Sequence, residues 1–274
     1  MTWLCELAKM TPQNYYARRR AWRRQEVDVQ LVLELARAER AHQPRLGVRK
    51  LYHLIRAELK AAGVKMGRDR LFEELRQAGM LVERRPSAWP KTTQFDPALP
   101  VFKNLIKRRP VTGRNQVWVA DITYIRTREA FLYLSLITDK WSRKIVGYHL
   151  GETLETRGVL KALAMALRGL APGERPIHHS DRGCQYASHA YVQAVQQAGL
   201  RMSMTEKHHS AENALAERIN GILKQEYYLD ADFETRWAAK RATVQGIQLY
   251  NYRRPHTALG MRTPGSVHDH GKTL

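Results

Sequence analysis

QVWVADITYIRTREAFLYLSLITD, residues 116–139, holds two runs of β-branched and aromatic residues joined by the polar connection RTREA. Runs of this kind across a short polar turn read as an antiparallel hairpin. KIVGYHL (144–150) reads as a third strand, and the pattern then alternates. A helix in LETRGVLKALAMALRGL precedes a strand in PIHHS; a helix in SHAYVQAVQQAGL precedes a strand in RMSMT; a last helix starts near Glu212. Three antiparallel strands followed by alternating helices and strands predict one mixed α/β sheet of five strands.

Outward from this stretch the texture changes. Residues 1–83 read as short helices, with apolar residues at helical spacing (Val27, Leu31, Leu35) and glycine stops at 47, 63, 67 and 79. Basic helices joined by glycine turns suggest a helix-turn-helix module, with a plain basic bundle as the alternative. Residues 84–115 hold five of the eleven prolines and the run Lys107-Arg108-Arg109, a basic linker composition not expected to make a core. Residues 116–230 carry the sheet, and 231–274 a further helix and tail.

The net charge is +20 on 274 residues, with pI near 10.2. The first 114 residues hold 25 basic against 11 acidic side chains, an excess of 14. A field of that sign and size points to nucleic acid, and places Arg49, Lys50, Lys107, Arg108 and Arg109 among the expected DNA contacts. Two cysteines, Cys5 and Cys184, offer neither a disulfide framework nor a CxxC zinc site. Neither a long apolar run nor a secretory signal pattern is present, so a soluble intracellular protein is the default expectation.

Asp121 interrupts the first strand among Val117, Trp118, Val119, Ile122 and Ile125. A carboxylate there is costly unless it is paired or binds a metal. Asp181 follows the fourth strand, at the carboxyl end where α/β sheets place functional groups. If the first and fourth strands are neighbours, the two carboxylates converge. In the last helix, at about 100° per residue, Leu215, Ile219, Ile222 and Leu223 make one apolar stripe. Glu217 lies opposite it, with Asn213 and Lys224 on the same face and expected clear of the buried side. Glu226 falls inside the stripe, so either the helix ends first or Glu226 has a buried partner. Three carboxylates from separate elements suit hard divalent cations. Singly, each has an ordinary reading as a turn former or surface acid. Asp139, at the end of the second strand, ranks below them.

WVADITYI, HHSDRGCQY and ENALAERINGILKQE, with thirty-five residues between Asp181 and Glu217, resemble the three catalytic blocks of the DDE transposases of the insertion-sequence-3 family, the OrfB product. YNYRRPHTALGMRTP (250–264) resembles that family's C-terminal signature. GVRKLYHLIRAELKAAGVKMGRDRLFEELRQAGML resembles its helix-turn-helix module. The resemblance covers about residues 45–265 and implies an RNase H-like fold. It implies Asp121, Asp181 and Glu217 as catalytic metal ligands for two Mg²⁺ or Mn²⁺ ions. Lys224, with Arg182 and Arg254, is expected at the DNA; His178, His179 and Gln185 would face phosphates or order the turn. The signature residues Tyr250, Asn251, Pro255 and His256 receive no individual role. Two departures stand out: Glu212 where the block opens with Asp, and Ile219-Asn220-Gly221 in place of an aromatic pair.

The activity implied is cleavage and strand transfer at the inverted-repeat ends of an insertion sequence. Its partners would be double-stranded end and target DNA, further copies of the chain, and an upstream OrfA partner or frameshift fusion, with no membrane role. The compartment implied is the bacterial cytoplasm, at the nucleoid. A DNA-binding regulator without chemistry and an RNase H-like nuclease that does not join ends are the rival readings.

Overall fold

A computed structural model of the protein describes Trp3, Leu7 and residues 9–83, 98–206 and 212–270. Cys5 and the linker residues 84–97 lie outside the described residues. The chain forms two compact units, residues 1–83 and 84–274. Among the described residues, no helix is long and apolar enough to cross a membrane.

The first unit is helical: α1 (Pro12–His42), α2 (Val48–Ala61) and α3 (Arg68–Gln77). Thr11 caps α1 by accepting from Asn14 N–H at 3.3 Å, and Pro12 stands at the first turn, where its missing N–H costs nothing. Gly63 and Gly79, at φ +73° and +64°, end α2 and α3 in the left-handed conformation that glycine adopts without a Cβ clash. Leu51, Ile55 and Leu59 of α2 and Leu71 and Leu75 of α3 close over Val32 and Ala36 of α1.

The second unit is built on β1 (Val117–Arg126), β2 (Phe131–Asp139), β3 (Ile145–Gly151), β4 (Ile177–Ser180) and β5 (Arg201–Met204). The order is β3-β2-β1-β4-β5, with β1–β3 antiparallel and β4 and β5 parallel to β1, the RNase H-like arrangement. Helices α4 (Thr156–Leu167), α5 (Cys184–Ala187), α6 (His189–Gln197), α7 (Ala214–Glu226), α8 (Arg236–Tyr252) and α9 (Pro264–Asp269) flank it. Side chains alternate across each strand. Trp118 and Ala120 face Val159, Leu163 and Tyr191 of α4 and α6; Leu134 and Leu136 face Ile219, Leu223 and Ile247 of α7 and α8. Gly147 of β3 lies so close to α4 that a Cβ there would stand 2.3 Å from the Ala162 carbonyl oxygen.

Residues 98–115 correct the linker expectation. Ile106 is buried beside Val117, Val119 and Ile177, and Leu99 and Phe102 pack against the core around Trp118. Leu105 N–H donates to Ser203 Oγ at 2.9 Å, and Asn115 N–H to Asp139 Oδ2 at 2.8 Å. Prolines restrict the backbone without preventing apolar residues between them from packing.

Candidate active site

The last residues paired between β1 and β4 are Val119 and His179. Two residues further along each chain come Asp121, still on β1, and Asp181, one residue past the end of β4. Both line a small cleft of about 60 Å³ with Ile122, Tyr124, Leu154, Gly183, Gln185 and Tyr186. The expected convergence of the first two carboxylates is therefore present. Each is oriented by its own chain: Ile122 N–H donates to Asp121 Oδ1 at 2.9 Å, and Gly183 N–H to Asp181 Oδ1 at 3.0 Å.

Glu217 comes from the first turn of α7, exposed to solvent. The start of that helix is pinned to β1 by the buried Asn213, whose Nδ2 donates to the Ala120 carbonyl at 3.1 Å. One turn after Glu217, Asn220 Nδ2 donates to Asp121 Oδ2 at 2.7 Å. The Asp121 carboxyl is pushed up to about 7, first by burial and then by the negative charge of Asp181; Glu217 adds to the effect, and the bonds from Ile122 and Asn220 oppose it. The three acids thus share one electrostatic environment. Among the described residues, no three His, Cys, Asp or Glu side chains stand close enough to hold a metal ion as they lie. The donor set nonetheless fits a hard cation: it is all oxygen, open to a cleft, and crowded with like charge that a divalent ion would relieve.

Lys224 and Asn213 correct the expectation of an open face beside Glu217. Lys224 is buried, and burial lowers its ammonium to about 8 against the opposing pull of Asp121 and Asp230. Asn220, a departure from the family's block in sequence, belongs to the site through its bond to Asp121. Its signal was its place three residues after Glu217, on the side of the helix that faces β1. Tyr186 lines the cleft; its hydroxyl is buried there with no hydrogen-bond partner.

The turn around Asp181 is ordered from within. Arg182 Nε donates to the Thr205 carbonyl at 2.7 Å, and Gln185 Nε2 to the Leu154 carbonyl at 3.1 Å. His178 and His179 are fully buried against Tyr191 Oη and Ser203 Oγ, and burial drives them down to about 3 and about 4. Of the two options for this turn, these contacts are the ordering ones. Glu212 accepts from Asn104 Nδ2 at 3.1 Å, which gives that departure a packing role. Asp139 is a structural acid: it takes hydrogen bonds from Asn115 N–H, Ser142 N–H and Ser142 Oγ.

Glu226 has the buried partner. Arg254 Nε and Nη2 reach its two carboxylate oxygens at 2.7 Å each, with the Arg254 side chain 2% exposed. Arg254, expected at DNA, is instead sealed inside the unit, because an acid within the apolar stripe of α7 demands a cation. Tyr250 and Asn251 of the signature are structural as well. Tyr250 Oη donates to the Arg143 carbonyl, and the Asn251 amide bonds both the N–H and the carbonyl of Ile145 on edge strand β3. Arg49, Lys107, Arg108 and Arg109 are exposed, and Lys50 is half-buried.

Residues 111–210 match the family described as Integrase core domain, and residues 198–264 match a second family of the same description. The chain is 35% identical to the uncharacterized 31 kDa protein of insertion element IS600 of Shigella sonnei, over 97% of each. It is 32% identical to transposase InsF of insertion sequence IS3A of Escherichia coli K12, over 76% of this chain and 72% of that one. Among solved structures, a chain of the simian T-cell lymphotropic virus intasome in complex with PP2A regulatory subunit B56 gamma superposes with a TM-score of 0.50 at 19% identity, over 81% of this chain and 74% of that one. That last likeness is one of fold.

Proposed function

This chain belongs to the insertion-sequence transposases built on a retroviral-integrase-type core, and from that premise we propose that it cleaves and joins DNA at the inverted-repeat ends of its element through Asp121, Asp181 and Glu217. The observation that carries the proposal is the meeting in one cleft of Asp121 on β1 and Asp181 just past the end of its parallel neighbour β4, with Glu217 near enough to raise the proton affinity of Asp121. Structural carboxylates in this chain look different. Asp139 and Glu226 are each held by strong donors, whereas Asp121, though it takes bonds from Ile122 and Asn220, has its carboxyl pushed up by burial and by the charges of Asp181 and Glu217.

Asp121, Asp181 and Glu217 would hold Mg²⁺ or Mn²⁺, two ions per site. Bound there, such ions supply activation of the attacking oxygen and charge stabilisation of the leaving oxygen. The protein's part is orientation. The Ile122 and Gly183 N–H groups and the Asn220 amide each take one lone pair of a carboxylate oxygen and leave others for ligation. The nucleophile is water in cleavage and the freed 3′-hydroxyl in joining, attacking a phosphodiester in line, without a covalent protein–DNA link.

Around this centre, α2 and α3 act as the helix-turn-helix DNA-binding module, with Arg49 and Lys50 on it. Lys107, Arg108 and Arg109 bind the phosphate backbone. Lys224 serves the DNA end from the base of α7, and Arg182 holds the turn beside it. Holding two ends calls for more than one copy on the DNA, and an upstream OrfA product, separate or fused by frameshifting, would complete end recognition. The site of action is the bacterial nucleoid.

The test is a strand-transfer assay in Mg²⁺ or Mn²⁺ with a labelled inverted-repeat end from DNA flanking the gene, comparing wild type with Asp181→Asn. Joined product from wild type alone supports the proposal. Cut ends without joints would make the chain a nuclease. Equal products from both proteins would remove Asp181 from the chemistry.

A further inference from the structure

Helix α1 has two halves of different character. Its C-terminal half packs into the first unit through Val32, Ala36 and Glu39. In its N-terminal half, Pro12–Glu26, every residue is exposed except the half-buried Tyr15. That stretch reads PQNYYARRRAWRRQE and carries five arginines with no carboxylate before Glu26. Among the described residues, none of Arg18, Arg19, Arg20, Arg23 and Arg24 has an acidic partner.

Placing Arg18 at zero and turning about 100° per residue, Arg19, Arg23, Arg20 and Arg24 fall near 100°, 140°, 200° and 240°, with Tyr16 near 160°. Val32, Ala36 and Glu39 fall near 320°, 0° and 300°. Four of the five arginines are thus turned almost directly away from the side by which α1 packs, while Arg18 shares the azimuth of Ala36. A helical stretch with nothing buried draws no stability from packing, and Arg19 with Arg23 and Arg20 with Arg24 are like-charge pairs at i, i+4, which oppose the helix. Four turns of helix held under these conditions complement a surface of regularly spaced negative charge. Tyr16 at the centre of the arc adds a planar group suited to the sugar and base edges of a groove.

We propose that the N-terminal half of α1 is a second DNA-binding element, a basic arm that lies along duplex DNA. It contacts phosphates through Arg19, Arg20, Arg23 and Arg24, independently of sequence. A duplex fits better than an acidic protein segment because the cationic arc is broad and holds a single aromatic residue, Tyr16, with the exposed Trp22 only at its edge near 40°. An α-helix also matches the width of the major groove. The arm rests on the proposed function only for the choice of DNA as the polyanion.

The experiment uses the full chain and a labelled duplex of about 30 base pairs unrelated to the inverted repeat, with binding followed by fluorescence anisotropy across a salt series. The variant replaces Arg19, Arg20, Arg23 and Arg24 with glutamine. A second variant removes four exposed basic residues of the other unit, Arg157, Lys161, Arg168 and Arg175, in the same way. The arm variant is expected to bind at least tenfold more weakly near 0.1 M salt, with the slope of log K against log salt shallower by about three, while the second variant loses far less. Equal losses in the two variants would reduce the effect to net charge and overturn the arm. So would unchanged DNA binding by the arm variant, including the case where it shifts sedimentation toward a smaller species, since the arm would then dock on another copy of the chain. Duplex binding that depends on the arm, in a protein that joins no ends, would sink the transposition reading and leave this one standing.

Discussion

Replacing Arg254 with methionine should cost the second unit its stability rather than its grip on DNA. The guanidinium is 2% exposed and makes two 2.7 Å bonds to Glu226, which sits in the apolar stripe of α7 near Ile219 and Leu223. Removing one partner of a buried, doubly bonded pair leaves the other charge uncompensated, at about 3–5 kcal/mol. In a unit of roughly 190 residues each kcal/mol moves Tm by about 2–4 °C, so a drop on the order of 10 °C is expected. The double variant Glu226→Leu, Arg254→Met removes both charges and should recover most of the loss, giving a coupling of about 3 kcal/mol in a double-mutant cycle. Guanidinium unfolding followed by tryptophan fluorescence measures the stabilities, and a salt series on duplex DNA measures the grip. A single variant within about 1 kcal/mol of wild type, whose salt slope falls by about one phosphate, would place Arg254 on the DNA and refute the reasoning.

Metal-free protein should be stabilised by Asp121→Asn. The folded carboxyl titrates at about 7 against 3.8 when exposed, so its contribution is present below pH 4 and lost as pH rises through 7. The gain in Tm should therefore be larger at pH 8 than at pH 5, up to about 4 kcal/mol in free energy; an equal shift at both values would contradict the crowding of the three acids. Mn²⁺ should raise the Tm of wild type and leave Asp121→Asn nearly unchanged, measured by the same melts. His178, held down at about 3 by burial, is neutral when folded while its unfolded counterpart takes a proton below 6.5. Stability should thus fall as pH drops from 6.5 toward 4, and His178→Gln should flatten that fall in urea titrations at stepped pH. Gly147→Ala puts a methyl into the Ala162 carbonyl and should destabilise by about 1–3 kcal/mol or more, read as a lower urea midpoint at constant m.

The strands were legible because β-branched and aromatic runs of the right length have few other uses, and β2 occupies the expected residues 131–139. The convergence of Asp121 and Asp181 needed one further fact, that β4 lies beside β1, which strand patterns alone leave conditional. Helical spacing in α7 gives its apolar stripe but not the burial of Lys224 and Asn213. A wheel tells which residues share a face, not how far a neighbouring sheet reaches around it, and here β1 extends far enough to bond Asn213. Residues 98–115 were misread because proline content spoke louder than Ile106 and Phe102. Arg254 was misread because a basic residue in a basic protein suggests DNA. The contrary signal was present in Glu226, an acid on the wrong side of a helix, whose partner lies 28 residues away and could not be chosen from the pattern.

The parallel seam between β1 and β4 also sets the order in which the three site acids can come together. Asp121 is synthesised sixty residues before Asp181, and the strands that carry them pair across the whole β2–β3–α4 excursion; Glu217 follows after β5. Long-range parallel pairing is among the slower events in folding, and domains emerge from the ribosome from the N-terminus onward. On the proposed assignments, a nascent or prematurely terminated product holds the helices proposed to bind DNA before it can hold all three acids. Only molecules whose translation has reached α7 then carry all three acids.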